Sequence, residues 1–275
     1  MALFLIVTAF AISYGWGMRG SNLGHGQGAM LPGALLAILI ALFSNDFVLI
    51  ENAVFLGAIG AAAMYFGGDM TYGETIGLTR DQKTYYKGQI GLAWKGFLWF
   101  GVYGAFLGIG LRVVSGAVYS WPALLVLTVL LLPLQRLGVV IFNRPHDADK
   151  NLRPKIYFSV NRPECWGGML MILLALVVFI AAHGDVASLA MTGLSAVFAA
   201  VGWYFGNYLH VRTAKPFKSG KRLLEPFVKK GRIDGWKIME CVLGFFGGFG
   251  TALAYLLFAE DFAGKGTVVT AIPSW

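Results

Sequence analysis

The residues best equipped to bind a polar ligand lie in one stretch, Gly15-Trp16-Gly17-Met18-Arg19-Gly20-Ser21-Asn22-Leu23-Gly24-His25-Gly26-Gln27-Gly28, with six glycines among fourteen residues. Arg19, Ser21, Asn22, His25 and Gln27 supply a cation, a hydroxyl, two amides and an imidazole. Glycine lets backbone N–H groups converge on a concavity, and a helix starting near Ala29 would add the partial positive charge of its N-terminus. The combination predicts a receptor for a carboxylate, a phosphate or a hydroxyl-rich solute. Irregular backbone at membrane depth needs burial in protein or contact with water, so a cavity follows if the segment dips inward. The structural alternative is a cytoplasmic turn whose glycines permit close packing.

A second concentration is Gly67-Gly68-Asp69-Met70-Thr71-Tyr72-Gly73-Glu74-Thr75, which offers Asp69, Tyr72, Glu74 and Thr75 as ligand groups. If the preceding helix continues, Asp69 and Tyr72 share a face at i, i+3. Asp69 or Glu74 could carry a proton, coordinate Na⁺, or pair with Arg19 or Lys95. A charge next to hydrocarbon is expensive and reads as functional. Lys95 follows Trp94, and the pair recurs as Trp236-Lys237 with Glu240 three residues on. Both lysines are expected to snorkel to the membrane interface, with substrate contact by Lys95 as the second reading.

No His-Glu-x-x-His zinc site, Walker loop or Gly-x-Ser-x-Gly is present, and the four histidines are scattered at 25, 146, 183 and 210. Cys165 and Cys241 have no ligand spacing and form no disulfide framework. No metal, cofactor or catalytic residue is therefore expected. Gly20-Ser21-Asn22-Leu23-Gly24 resembles the Gly-Ser-x-Asn-x-Gly loop of the membrane glycerol-phosphate acyltransferases, but it lacks the residue between Ser and Asn. That resemblance covers five residues and implies neither an activity nor a site here.

The elements that must position these groups are apolar helices. Hydrophobic residues are 57% of the chain and charged ones 13%, with mean hydropathy +0.67, against about 25% charged in a soluble domain. Against the roughly 20 residues a span requires, the apolar runs predict helices at about 2–18, 29–48, 51–68, 92–114, 119–141, 166–183, 186–210 and 235–258. The fold class is all-α, a polytopic integral membrane protein of eight spans. The first run has no basic n-region and no clean cleavage site, and it reads as a retained span.

Seventeen of the 22 Lys and Arg fall in the connections 19–28, 69–91, 142–165 and 211–234. The positive-inside rule makes these cytoplasmic and puts both termini outside, in what is expected to be a bacterial inner (plasma) membrane. The net charge of +8 thus records topology and anionic-lipid contact, not nucleic acid.

An internal duplication is also expected. Gln27-Gly28-Ala29-Met30-Leu31 is echoed by Trp166-Gly167-Gly168-Met169-Leu170, and Tyr65-Phe66-Gly67 by Tyr204-Phe205-Gly206, both at an offset of 139. Four spans per copy give the copies the same orientation, dividing the chain at 1–115 and 116–275, with the polar site in the first half. The charged stretch 143–165 then reads as an insertion in the second.

The leading functional expectation is a transporter or channel for a small polar or anionic solute, coupled to a proton or Na⁺. The site would be built from Arg19, Ser21, Asn22, His25, Gln27, Asp69, Tyr72, Glu74, Thr75 and Lys95. The alternatives are a membrane-embedded enzyme acting on a lipid or isoprenoid headgroup, with His25 as base, and a non-catalytic subunit of a larger complex. Membrane lipids are expected partners, and the glycine-rich helices could hold a second copy of the chain.

Overall fold

The computed structural model describes residues 1–22, 25–68, 70, 72–116, 118–214, 222–229 and 234–264; for residues 19–22, 25, 228 and 229 it describes the backbone alone. The fold is all-α, with no strand among the described residues. The helices are α1 (Ala2–Asn22), α2 (His25–Phe43), α3 (Phe47–Glu51), α4 (Ala53–Gly68), α5 (Gly73–Leu78), α6 (Tyr85–Val114), α7 (Trp121–Asn143), α8 (Trp166–Ala182), α9 (Val186–Ala214), α10 (Glu225–Lys229), α11 (Gly235–Leu257) and α12 (Ala259–Phe262).

Five of them are long and apolar enough to cross a membrane: α2, α6, α7, α9 and α11. Three more are apolar but shorter, at Ala2–Met18, Ala53–Gly68 and Trp166–Ala182. At 1.5 Å per residue a 16-residue helix such as α4 covers about 24 Å, short of the roughly 30 Å hydrocarbon core.

The centre is formed by α6, α9 and α11, and small residues set how closely they approach. Along α6, Gly96, Gly104 and Gly108 meet the backbone or small side chains of α9 at Ala199, Met191 and Ser188. Gly244 of α11 faces the Ile12 carbonyl and Trp16 of α1, and Gly33 of α2 lies against the Gly60 carbonyl of α4. Such contacts let dispersion and weak polar forces hold helices together where lipid is as apolar as the side chains. Helix α7 stands apart, packed chiefly on α8 through Gly138 and Gly167. Its opposite side exposes Leu125, Val126, Val129, Leu132, Val140 and Ile141.

The stretch expected to be an irregular glycine-rich loop is largely helical. Helix α1 runs through Asn22 and α2 begins at His25. Gly15 faces Pro32 of α2, Gly17 faces Cys241 of α11, and Gly26 faces Tyr65 of α4. These three glycines therefore make room for neighbouring helices.

The two ends of the helices differ in character. At one, Lys87 of α6 lies 3.1 Å from the centroid of Tyr157 and Arg153 lies 5.5 Å from it, which joins two of the basic connections. At the other, acids serve as caps. Asp46 accepts from the Val48 N–H at the start of α3 and from the Gly264 N–H, while Asp185 accepts from Tyr119 and from both polar groups of Ser188 in α9.

Candidate functional site

Helix α6 begins seven residues before the apolar run that announced it, because Tyr85, Lys87 and Gln89 are covered by neighbours instead of lying in a loop. Lys95 consequently sits deep in the helix and is completely buried, which corrects the expectation that it snorkels to the interface. Its ammonium donates to Glu164 Oε1 at 2.8 Å and to Thr75 Oγ1 at 2.7 Å. Glu164 Oε2 accepts the Phe158 N–H at 2.7 Å, and the Thr75 hydroxyl donates to the Phe158 carbonyl at 2.9 Å. The result is a closed ring of hydrogen bonds through two helices and the segment 157–164. Its charged side chains are 0% and 2% exposed, so neither ion keeps bulk water as a partner. A buried pair of this kind is tolerated only when its remaining polar valences are filled.

The segment 157–164 belongs to the charged stretch read as an insertion, and it docks onto α5 and α6. Gly91 permits this, since a methyl there would run into the Phe158 ring. Glu74, in the first turn of α5, fixes the same segment: its Oε2 lies 2.7 Å from Ser159 Oγ and accepts the N–H groups of Val160 and Asn161 at 2.7 and 2.8 Å. The exposed Arg162 guanidinium is 3.8 Å from Oε1. Burial alone would raise the Glu74 carboxyl, but the donors from Asn161, Ser159 and Val160 outweigh it and hold the group below its ordinary value.

A second cluster lies on the other side of α5. Tyr72 donates to Glu240 Oε1 of α11 at 3.3 Å, and Trp236 Nε1 donates to the same oxygen at 3.0 Å. The Tyr72 ring stands within 6.4 Å, centroid to centroid, of Trp99, Trp203 and Trp236. Trp16 of α1 extends this aromatic wall, edge-on to Trp99 at 5.0 Å. Five aromatic rings from α1, α6, α9, α11 and the lead-in to α5 thus form one connected cluster, and two of them, Tyr72 and Trp236, hold the buried Glu240 carboxylate. Beyond it, Asn207 of α9 donates to Gln89 of α6 at 2.8 Å, and Gln89 donates to Tyr85 at 3.0 Å.

The lead-in and first turn of α5 therefore connect both clusters, Tyr72 toward Glu240 and Glu74 with Thr75 toward Lys95 and Glu164. Tyr72, Glu74, Thr75 and Lys95 are brought together with named partners, whereas Gln27 lies exposed in the first turn of α2. Asp69 and the side chains of Arg19, Ser21, Asn22 and His25 lie outside the described residues. Helix α4 ends at Gly68 and α5 starts at Gly73, and the expected pairing of Asp69 with Tyr72 on one helical face rests on Asp69, outside the described residues.

Sequence reasoning missed Glu164, Gln89, Asn207, Trp99 and Trp203 as site residues, and it noted Trp236 and Glu240 only as neighbours of Lys237. Two signals could have found the acids. Glu164 is the one Asp or Glu between Asp149 and Asp185, and Glu240 is the one acid inside the last long apolar run. No group of His, Cys, Asp and Glu able to hold a metal occurs among the described residues. No family model, curated protein or solved structure matches the chain.

Proposed function

We propose that the chain is an eight-span transporter or channel for a small polar or anionic solute, which binds at the polar layer organised by α5. The observation that carries this reading is the Lys95–Glu164 pair with Thr75, wholly buried where α5 and the segment 157–164 cover the start of α6. Burying such a pair stabilises a fold little or not at all compared with apolar residues of the same size, so its presence needs a reason beyond stability. An anionic or hydroxyl-rich solute can replace Glu164 as the partner of Lys95, or a proton can discharge Glu164 and release the ammonium. The Glu240 carboxylate and its aromatic surround supply a second polar contact across α5, and Asp69 or Glu74 remain candidates for coupling to a proton or Na⁺.

The topology fits the reading. The basic connections that meet around Tyr157 lie on one face and the capping acids on the other, which supports an even number of passes, a cytoplasmic polar layer and outward termini. A division into two parallel four-helix units, 1–115 and 116–275, remains part of the proposal.

Reconstituted protein should exchange at least one solute from a panel of small carboxylates, phosphate and polyols, releasing it chemically unchanged. Lys95→Met should lower that exchange at least tenfold while the protein still elutes as a folded species. Absence of flux across the whole panel with folded wild-type protein would refute the transport reading.

A further inference from the structure

Where α7 ends at Asn143, the chain turns back and 144–156 folds against the end of the helix, held by the backbone pairing of Asp147 with Leu152. Between this return and α8 lies a cleft of about 420 Å³, outside the polar layer described above. Its apolar side is Ile141, Phe142, Ile156 and Trp166; its polar side is Arg144, Arg153 and Lys155, and none of its lining residues is acidic. Ile141, which lines the cleft, is itself exposed on α7, as are Leu137 and Val140. Trp166 is 4% exposed and its indole N–H has no hydrogen-bond partner among the described residues.

We infer that this cleft is a binding site for one anionic phospholipid. Three cations gathered without a carboxylate among them match a phosphodiester, which Arg144 and Arg153 can meet through forked donors and Lys155 as a point charge. The apolar side and the bare strip of α7 match an acyl chain leaving the headgroup toward hydrocarbon. A free phosphate would use the cations and leave the apolar side unmatched. The position at a helix end, beside a basic connection, is where a headgroup of the cytoplasmic leaflet lies. The inference rests on the membrane placement proposed above, but not on the nature of the solute.

The test uses the full chain in a neutral detergent, with binding of phosphatidylglycerol, phosphatidylcholine and inorganic phosphate measured by native mass spectrometry and by competition with a fluorescent phosphatidylglycerol. Phosphatidylglycerol should bind tightest. Because each basic residue contributes about 1 kcal/mol, roughly fivefold, to anionic-lipid attraction, the R144Q/K155Q variant should bind it roughly 30-fold more weakly. Ile156→Asp, which keeps all three cations, should also weaken it. Inorganic phosphate should compete only far above the lipid's own concentration range.

Equal binding of the two lipids, or equal binding by wild type and R144Q/K155Q, overturns the site. Competition by phosphate as effective as by lipid overturns the lipid assignment in favour of a free anion. Should the double variant melt lower than wild type without lipid, the K155Q single variant decides. Solute flux of the same variants in phosphatidylcholine liposomes is read separately, so loss of the lipid site and failure of the transport reading give different results.

Discussion

The dipeptide Trp-Lys occurs at 94–95 and again at 236–237, and its two copies end up in opposite environments. Lys95 is completely buried, whereas Lys237 is exposed. The difference lies in where each helix begins. Lys237 is in the first turn of α11, immediately after the Asp234 cap, so its ammonium reaches water. Lys95 has nearly three helical turns of α6 before it, and that extension is covered by α5 and the segment 157–164. Once covered, the ammonium needs an anion, which Glu164 provides from 69 residues away. Local sequence thus sets what a lysine can do, and the length of the helix around it decides which of those things it does.

The strongest way to break the contrast is to remove the carboxylate. Glu164→Gln leaves the Lys95 charge buried with neutral partners, and loss of one member of a buried pair costs about 3–5 kcal/mol. Lys237→Gln, at an exposed position, should shift stability by less than about 0.5 kcal/mol. Denaturant or thermal unfolding in detergent compares the two. Adding Lys95→Met to Glu164→Gln should recover more than half of the loss, since the amide still accepts from the Phe158 N–H. If the double variant is no better than the single, Glu164 holds the segment by means other than the charge of Lys95.

The covering segment itself is the next target. A methyl at Gly91 would meet the Phe158 ring, and overpacking of this kind costs about 1–3 kcal/mol. Gly91→Ala should therefore destabilise the protein and raise hydrogen exchange in 157–164. Gly77→Ala, on α5 with nothing within 4 Å of the added carbon, should stabilise by roughly 0.5 kcal/mol through helix propensity. Similar losses from both would mean that backbone flexibility, not the Phe158 contact, is what glycine supplies at 91.

Tyr72→Phe tests the other side of α5. It removes one long donor from Glu240 while Trp236 remains, so a loss of about 0.5–1.5 kcal/mol is expected. A loss near the Glu164→Gln value would show that Glu240, like Glu164, depends on every partner it has.

These cases also mark how far the sequence could be read. The long apolar runs announced the helices because twenty apolar residues have few other uses, although the start of α6 was missed: Gln89 is polar in sequence but buried against Asn207. The glycines at 15, 17 and 26 were read as backbone freedom, and they are instead places where Pro32, Cys241 and Tyr65 come close. Composition alone does not separate those two uses. At the site, Tyr72, Glu74, Thr75 and Lys95 were legible as polar residues at the edges of apolar runs. Glu164 was not, because its meaning comes from a chain return that no local pattern encodes.

The smallest effect concerns Glu74, the acid that holds the docked segment from its exposed side. Its carboxyl lies below the ordinary value of 4.5 because donors from Asn161, Ser159 and Val160 outweigh the raising effect of burial. A depressed carboxyl contributes stability that is present above its unfolded value and lost as pH falls through its folded one. The Val160 and Asn161 amides should therefore stay protected from hydrogen exchange at about pH 5 and lose protection only as the pH falls below the ordinary value of 4.5. Since Glu74 is only half-buried, the global change should stay under about 1 kcal/mol. In Glu74→Gln the pH step should disappear while Lys95 and Glu164 keep the core of the segment in place. Loss of protection at Phe158 together with Val160 in that variant would show that the two acids clamp the segment as one unit, and would place Glu74 inside the structure that separates Lys95 from Lys237.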